Sequence, residues 1–365
     1  MLFKVMSMNS ILIGVKFVLG ILSVKIISIF LGPSGMAVIS HLRDFASMFK
    51  SFSSLGINNA VIKSVKDTNN DSKEISSRLS SFFWSYVVIS IVLALLIILL
   101  ASHINWFLFR NYDYLIIIKL IGLLLPLYFV NLFLKALLNS LELYKSIIWI
   151  QVISTVCLFC FTFLCIYYKS LFGALLALSI TDVIILVITF VFVRRNRRLF
   201  DFNFKRSFRN KDLICLRKYG LMALITAIIV PVTAILIRNN IIFQEGQFQA
   251  GIWDSSKRIS SFYMMFISSG LTLYYVPKLA SLKTDKDLKI EIKKYFVSIL
   301  PIFLIILLLV FFLKDFIIKM ALSKEFFEVK TVLIWQLIGD FVKVATLAFG
   351  FILSVRAMVI KYIAI

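Results

Sequence analysis

The sequence predicts an all-α polytopic membrane protein, and three observations support that fold class. Of the 365 residues, 61% are hydrophobic and only 16% are charged, which makes the chain far more apolar than a soluble protein of this length. Apolar runs recur, for example at 87–101, 147–168 and 171–193, and with their flanks they reach the roughly 20 residues that cross about 30 Å of hydrocarbon. Lysine and arginine are concentrated in short segments between these runs.

Ten membrane-spanning helices can be placed in chain order from these runs. The first apolar run continues to about residue 31 and lacks a small-residue cleavage site, so we interpret it as a retained span rather than a signal peptide. The ten predicted spans cover roughly 8–31, 36–60, 80–101, 114–140, 147–168, 171–193, 219–239, 250–276, 295–313 and 330–353.

The distribution of basic residues predicts that the N-terminus is cytoplasmic. Ten lysines and arginines fall in 194–218 and six in 278–294, and such an excess in short loops marks the cytoplasmic side. The net charge of +22 therefore needs no nucleic-acid partner. The segment 314–330 is the exception to this pattern, because its four lysines fall on the predicted outer side.

The second half of the chain repeats the first at an offset of 215–216 residues. The segments 35–49 and 251–265 share a glycine, a serine five residues later, a basic cluster and a Met-aromatic tail. Six spans in each repeat would give both halves one orientation about an axis along the membrane normal. We expect an N-terminal six-helix lobe at 1–200, which includes the start of a basic cytoplasmic linker. At 201–365 we expect a truncated C-terminal lobe with helices 7–10 and the start of an eleventh.

Ionisable residues inside the predicted spans comprise ten bases and four acids. Lys25, Lys119 and Arg238 lie within two turns of a span end and can extend to the membrane surface. A charge at the centre of a span costs roughly 2.5–3.5 kcal/mol, so the deeper charges should face a wet cavity between the two halves. The excess of bases predicts a cationic substrate site for an anion, formed by Arg43, Lys50, Lys135, Lys257 and Arg258.

The four acids inside the spans are candidate ion-relay carboxylates, namely Asp44, Asp182, Asp254 and Asp340. Ion pairing within the protein stays open as an alternative role for several charges. Asp254 and Arg258, for example, are one helical turn apart and can neutralise each other.

No catalytic group, cofactor or metal site is predicted. The chain has only two histidines, its longest predicted outer loops are only a dozen or so residues, and it contains no GxxxxGK[ST] phosphate-binding loop. Cys157, Cys160 and Cys165 lie on one apolar span with no histidine nearby, which favours packing over metal ligation. We therefore expect a protein that is not an enzyme.

Four segments resemble the bacterial Wzx O-antigen translocases, and most closely the branch that contains the lipid III flippases of enterobacterial common antigen synthesis. They are YGLMALITAIIVPVTAILIRN (219–239), AGIWDSSKRISSFY (250–263), IWQLIGDFVKVATLAFGFIL (334–353) and GPSGMAVISHLRDF (32–45). The resemblance implies membership of the multidrug/oligosaccharidyl-lipid/polysaccharide exporter superfamily. It also implies two six-helix lobes of the MATE/Wzx type around a central cavity.

The same resemblance implies a substrate and a location. The substrate would be an undecaprenyl-pyrophosphate-linked oligosaccharide, flipped from the cytoplasmic to the periplasmic leaflet of the bacterial inner membrane. Candidate partners are the polymerase and the chain-length regulator of the same pathway. Two alternatives stay open: a cation-coupled multidrug exporter of the same superfamily, and a membrane enzyme of O-antigen assembly. Ten bases against four acids disfavour the first, and short outer loops disfavour the second.

Overall fold

A computed structural model of the protein describes residues 2–53, 72–110, 112–195, 210–271 and 284–355, with a few single positions between these ranges (57, 61–62, 65, 275, 278–279 and 282). Most of the basic linker, the predicted lobe boundary at residue 200 and the start of an eleventh helix lie outside the described residues. The division into lobes at residue 200 therefore stays a prediction.

Helices account for every regular element in the described part of the chain, which confirms the all-α class. They are α1 Leu2–Ser53, α2 Ser72–Leu99, α3 Ala101–Phe109, α4 Leu115–Ser140, α5 Tyr144–Arg195, α6 Asn210–Gly270, α7 Asp285–Lys294, α8 Leu300–Phe312, α9 Lys314–Ala321 and α10 Val329–Val355. A π-helical turn at Tyr295–Ile299 joins α7 to α8, and a 3₁₀ turn at Lys324–Phe326 precedes α10.

Within the residues that the structure describes, seven helical stretches are long and apolar enough to cross a membrane. Three of them are broken by one residue with positive φ: Gly32 in α1 (61°), Ser170 in α5 (49°) and Gly246 in α6 (89°). The 52 residues of α1 or α5 would extend about 78 Å as one straight helix, well beyond the hydrocarbon thickness. The seven stretches thus contain ten membrane-length segments, and the breaks fall in the predicted loops at 32–35, 169–170 and 240–249.

The break at Ser170 brings two halves of α5 close together. A Cβ atom added at Gly173 would overlap the carbonyl oxygen of Cys165, so only glycine allows this approach. The two predicted spans at 147–168 and 171–193 therefore form a tight helical hairpin.

Contacts between residues divide the chain into two compact units. Unit 1 comprises Met1–Leu19 and Val38–Asn239, and unit 2 comprises Gly20–Ala37 and Asn240–Ile365. The core of unit 1 is aromatic: Tyr86 of α2 stacks on Phe129 of α4, with ring centroids 5.3 Å apart. In unit 2, the buried Tyr295 donates a hydrogen bond of 2.7 Å to the carbonyl oxygen of Val344, which ties the π-helical turn before α8 to α10.

Candidate functional site

A cluster of charged side chains lies among the membrane-spanning helices of unit 1. The Lys50 ammonium, on the second segment of α1, is 2.5 Å from the Asp182 carboxylate on the second segment of α5. The same ammonium lies 5.5 Å from the centre of the Tyr128 ring on α4. Lys135, also on α4, interacts electrostatically with Asp182. Three of the predicted site residues, from three separate helices, are therefore gathered at one place.

Lys16 extends this cluster, and its place there was not predicted. Its ammonium is close enough to that of Lys135 for the two like charges to repel each other. It also donates a hydrogen bond of 2.7 Å to the side-chain oxygen of Gln151. The cluster thus holds three lysines, Lys16, Lys50 and Lys135, and one carboxylate, that of Asp182, which leaves it with an excess of positive charge. We name these four residues the lysine cluster.

The lysine cluster is only partly shielded from solvent. The side chains of Lys50 and Asp182 expose 24% and 10% of their surface. A cavity of about 10 Å³, close to the least volume that holds one water molecule, lies beside them and is also lined by Tyr128 and Ser179. Charges in a site of low dielectric interact more strongly than they would in water. An anion that enters here would meet cations already held in place.

Asp44 lies in a second ion pair within unit 1. Its carboxylate oxygen is 2.6 Å from a guanidinium nitrogen of Arg238, which is fully buried. Arg238 therefore does not extend to the membrane surface, and the interpretation from its position near a span end is wrong. The position of Arg238 along its helix gives the distance from the guanidinium to water. It gives no information about the Asp44 carboxylate, which is 194 residues away in sequence but closer to the guanidinium than water is.

Arg43 directly precedes Asp44 in α1 and is half-buried. Successive residues of an α-helix point about 100° apart, so Arg43 and Asp44 present their side chains to different neighbours. The other predicted cations of the site, Lys257 and Arg258, belong to unit 2.

In unit 2, the predicted residues on α6 occupy neighbouring positions after the break at Gly246. Asp254 is buried, with 2% of its surface exposed, while Lys257 and Arg258 are half-buried. The Lys257 ammonium lies 4.3 Å from the centre of the Trp253 ring, a cation–π contact.

Asp340 on α10 is held by neutral hydrogen-bond donors. Its Oδ2 accepts from the Tyr263 hydroxyl and the Ser260 hydroxyl, each at 2.5 Å, and its Oδ1 accepts from the Gln336 amide at 3.0 Å. Asp340 is 2% exposed, whereas Lys343 on the next turn is exposed. The contact of Gln336 with Asp340 could be predicted from the sequence, because the two residues are four positions apart on one helix. Nothing in the sequence predicts that Ser260 and Tyr263 contact α10.

Among the described residues, no three histidine, cysteine, aspartate or glutamate side chains are grouped to hold a metal ion. Cys157 and Cys160 are exposed on the surface of α5.

The fold is shared with solved multidrug transporters of the MATE family. An inward-facing MATE transporter of the MOP superfamily matches with a TM-score of 0.72 at 16% identity, over 95% of this chain and 81% of that one. The MATE multidrug transporter DinF-BH matches with a TM-score of 0.66 at 15% identity, over 99% of this chain and 84% of that one. The fold and the apolar helices of membrane length define a multi-pass membrane protein of the MATE fold.

Residues 2–283 match the family described as polysaccharide biosynthesis protein, and the chain belongs to that family. It is also similar to the lipid III flippases of Escherichia coli (strain K12) and Shigella flexneri. Each is 26% identical over 355 residues, which cover 96% of this chain and 84% of the relative. The resemblance found in the sequence is confirmed, and the chain is a transporter rather than an enzyme.

Proposed function

We propose that this protein flips an undecaprenyl-pyrophosphate-linked oligosaccharide from the cytoplasmic to the periplasmic leaflet of the bacterial inner membrane. The oligosaccharide is a repeat unit of O-antigen or of enterobacterial common antigen. The observation that carries this proposal is the lysine cluster, which holds three ammonium groups and one carboxylate within the membrane-spanning part of unit 1. The family and the lipid III flippase relatives support it.

The cationic side chains supply binding for the pyrophosphate. In unit 1, Lys50 and Lys135 act as point charges, and Arg43 offers paired donors that match two phosphate oxygens. In unit 2, the candidate cations are Arg258, with the same paired donors, and Lys257. Asp182 serves as counter-ion to Lys50, so this ammonium is not left alone at membrane depth. A doubly charged pyrophosphate takes over that role when substrate binds.

The membrane potential favours export of such a substrate by alternating access. Moving two negative charges outward across 100 mV, with the inside negative, releases roughly 4.6 kcal/mol at about 2.3 kcal/mol per charge. The four carboxylates Asp44, Asp182, Asp254 and Asp340 are the candidates for exchange of a coupling ion. Asp340 suits a relay better than Asp44 or Asp182, because its three described partners are neutral donors and its protonation breaks no ion pair.

A cation-coupled multidrug exporter is the second candidate, and the shared MATE fold favours it. The lysine cluster argues against it, because a cationic drug would be repelled by the excess of ammonium groups.

Complementation in bacteria tests the proposal. The chain is expressed in two strains, one without its O-antigen translocase and one without its lipid III flippase, and surface polysaccharide is measured in each. We expect surface polysaccharide to return in one strain, which would identify the repeat unit, and the K50A/K135A variant to abolish it. The matched control is Lys119→Ala, since Lys119 is an exposed lysine on the same helix as Lys135.

Two results would contradict the proposal. One is normal surface polysaccharide with K50A/K135A at the wild-type protein level. The other is resistance to cationic drugs without restored polysaccharide in either strain, which would favour the exporter.

A further inference from the structure

The segment from Lys314 to Lys330 is the part of the charge pattern that the predicted topology leaves unexplained. Its four lysines are interleaved with aromatic side chains: Lys314 lies 4.2 Å from the centre of the Phe311 ring, and Lys330 lies 3.5 Å from that of Phe327. Phe312 and Phe316 expose 77% and 65% of their surface. Lysines next to exposed apolar rings are typical of segments that lie where hydrocarbon meets the lipid headgroups.

A groove of about 690 Å³ lies in unit 2 between this segment and the first segment of α1. Its volume is within the range of roughly 300–1,000 Å³ that small-molecule sites occupy. Its lining combines apolar side chains with ammonium groups, represented by Ile29, Ile318, Phe327, Lys25, Lys319 and Lys324.

One wall of the groove is fixed by hydrogen bonds to the end of α9. The Lys25 ammonium donates to the carbonyl oxygens of Lys319 at 2.7 Å and of Leu322 at 2.5 Å. Lys319 lies in the last turn of α9, where backbone acceptors have no partner within the helix, and Leu322 directly follows the helix. The Ser323 hydroxyl donates to the carbonyl oxygen of Ser28 at 3.0 Å, so a second bond holds the same turn against α1.

Lys25 can thus hold the end of α9 in place and bind a ligand at the same time. An ammonium group has three N–H donors, and two of those on Lys25 are used by backbone carbonyls of the described residues. The third is available to a ligand in the groove. Lys319 and Lys324 line the groove as well, and both are exposed.

We propose that this groove binds one anionic glycerophospholipid of the surrounding bilayer. Its phosphate is held by Lys319, Lys324 and the third donor of Lys25, and its acyl chains follow Ile29 and Ile318. Charge complementarity calls for an anion, and the apolar side chains of the lining call for a ligand with a hydrocarbon part. The exposed rings beside the groove place it at headgroup depth, where a bilayer lipid is always present. This binding is separate from the proposed translocation.

Lipid retention by the purified full-length protein tests the proposal. The protein is reconstituted in bilayers with equal amounts of phosphatidylglycerol and phosphatidylcholine, extracted, and analysed by native mass spectrometry. We expect bound phosphatidylglycerol to exceed phosphatidylcholine in the wild type. In K319Q/K324Q we expect that preference to fall roughly 25-fold, at about fivefold for each lysine near an anionic headgroup.

The matched control is K314Q/K330Q, which removes the same charge from the same segment at two lysines that do not line the groove. It should keep the wild-type preference. An equal fall in both double variants would mean general attraction to a basic surface and would overturn the proposal.

A second pair of variants tests the groove without altering charge. Ile29→Trp should fill the groove and reduce the number of retained lipids. Ile11→Trp, at a similarly exposed isoleucine of α1 outside the groove, should not. Lipid retention unaffected by Ile29→Trp, together with displacement by inorganic pyrophosphate, would identify a site for soluble anions and contradict a lipid site.

Discussion

At the scale of single residues, charges on the membrane-spanning helices of unit 1 are stabilised by partners from distant parts of the chain. Lys50 meets Asp182, and Asp44 meets Arg238, in each case from another helix. Removing one partner of a buried ion pair costs more than the pair itself contributes, because the other charge is then left in a poor solvent. Structural and substrate-binding roles of the same residue must therefore be separated by experiment.

Replacement of Arg238 by alanine should destabilise the protein. Loss of one partner from a buried pair costs about 3–5 kcal/mol, and the 24% exposure of the Asp44 side chain places the expected loss below that range. We expect a lower thermal unfolding midpoint for purified Arg238→Ala and an unchanged midpoint for Lys119→Ala, whose lysine is exposed near a span end. Equal midpoints for wild type and Arg238→Ala would show that the Asp44–Arg238 pair contributes no stability.

The K50M/D182N double variant separates two roles of Lys50. If Lys50 binds pyrophosphate, Lys50→Met should abolish surface polysaccharide, and adding Asp182→Asn should restore protein level without restoring transport. The reason is that the second change removes the orphaned carboxylate but supplies no cation. Recovery of polysaccharide in the double variant would show that Lys50 only neutralises Asp182.

At the scale of elements, single residues with positive φ convert long apolar runs into pairs of spans. The breaks at Gly32 and Gly246 use glycine, for which this conformation carries little penalty, whereas Ser170 adopts it with a side chain. The hairpin at Ser170 also depends on the close approach of Gly173 to the Cys165 carbonyl group. Hairpin geometry is thus set by very few positions.

Gly173→Ala should open this hairpin and reduce the amount of folded protein in the membrane. The added methyl group would overlap backbone, which cannot move aside as a flexible side chain could. Gly14→Ala is the control, because no atom lies within 4 Å of a Cβ at that position and alanine favours a helix over glycine by about 1 kcal/mol. Quantitative blotting of membrane fractions and thermal unfolding measure both variants. If Gly173→Ala were as stable as Gly14→Ala, the tight helical hairpin at Ser170 would be contradicted.

At the scale of the whole molecule, the loop charges predict the orientation in the membrane. Reporter fusions after Asp71, Asn203 and Asp285 should read cytoplasmic, and fusions after Ser34, Asn111 and Gly246 should read periplasmic, because basic loops are retained inside. A periplasmic signal at Asn203, within the most basic loop, would reverse the orientation along the entire chain.

The spans and the breaks between them could be predicted from the sequence, but the partners of the charges could not. Hydropathy over about 20 residues is a local property, so the loop at 169–170 was recognisable without any tertiary information. The interaction of Lys16 with Lys135, and the donation of Ser260 and Tyr263 to Asp340, depend on which helices become neighbours. Helix periodicity shows which residues share a face but not what that face meets.

By itself, the sequence determined a polytopic helical membrane protein with ten membrane-length segments, an excess of bases within them, and a resemblance to lipid-linked oligosaccharide translocases. These features follow from composition and local order, because the bilayer imposes the same length and polarity on every span. Only the tertiary structure decided that Asp182 holds Lys50 and that Arg238 turns inward to Asp44. A charge inside a membrane binds the nearest complementary group, and which group is nearest is set by helix packing.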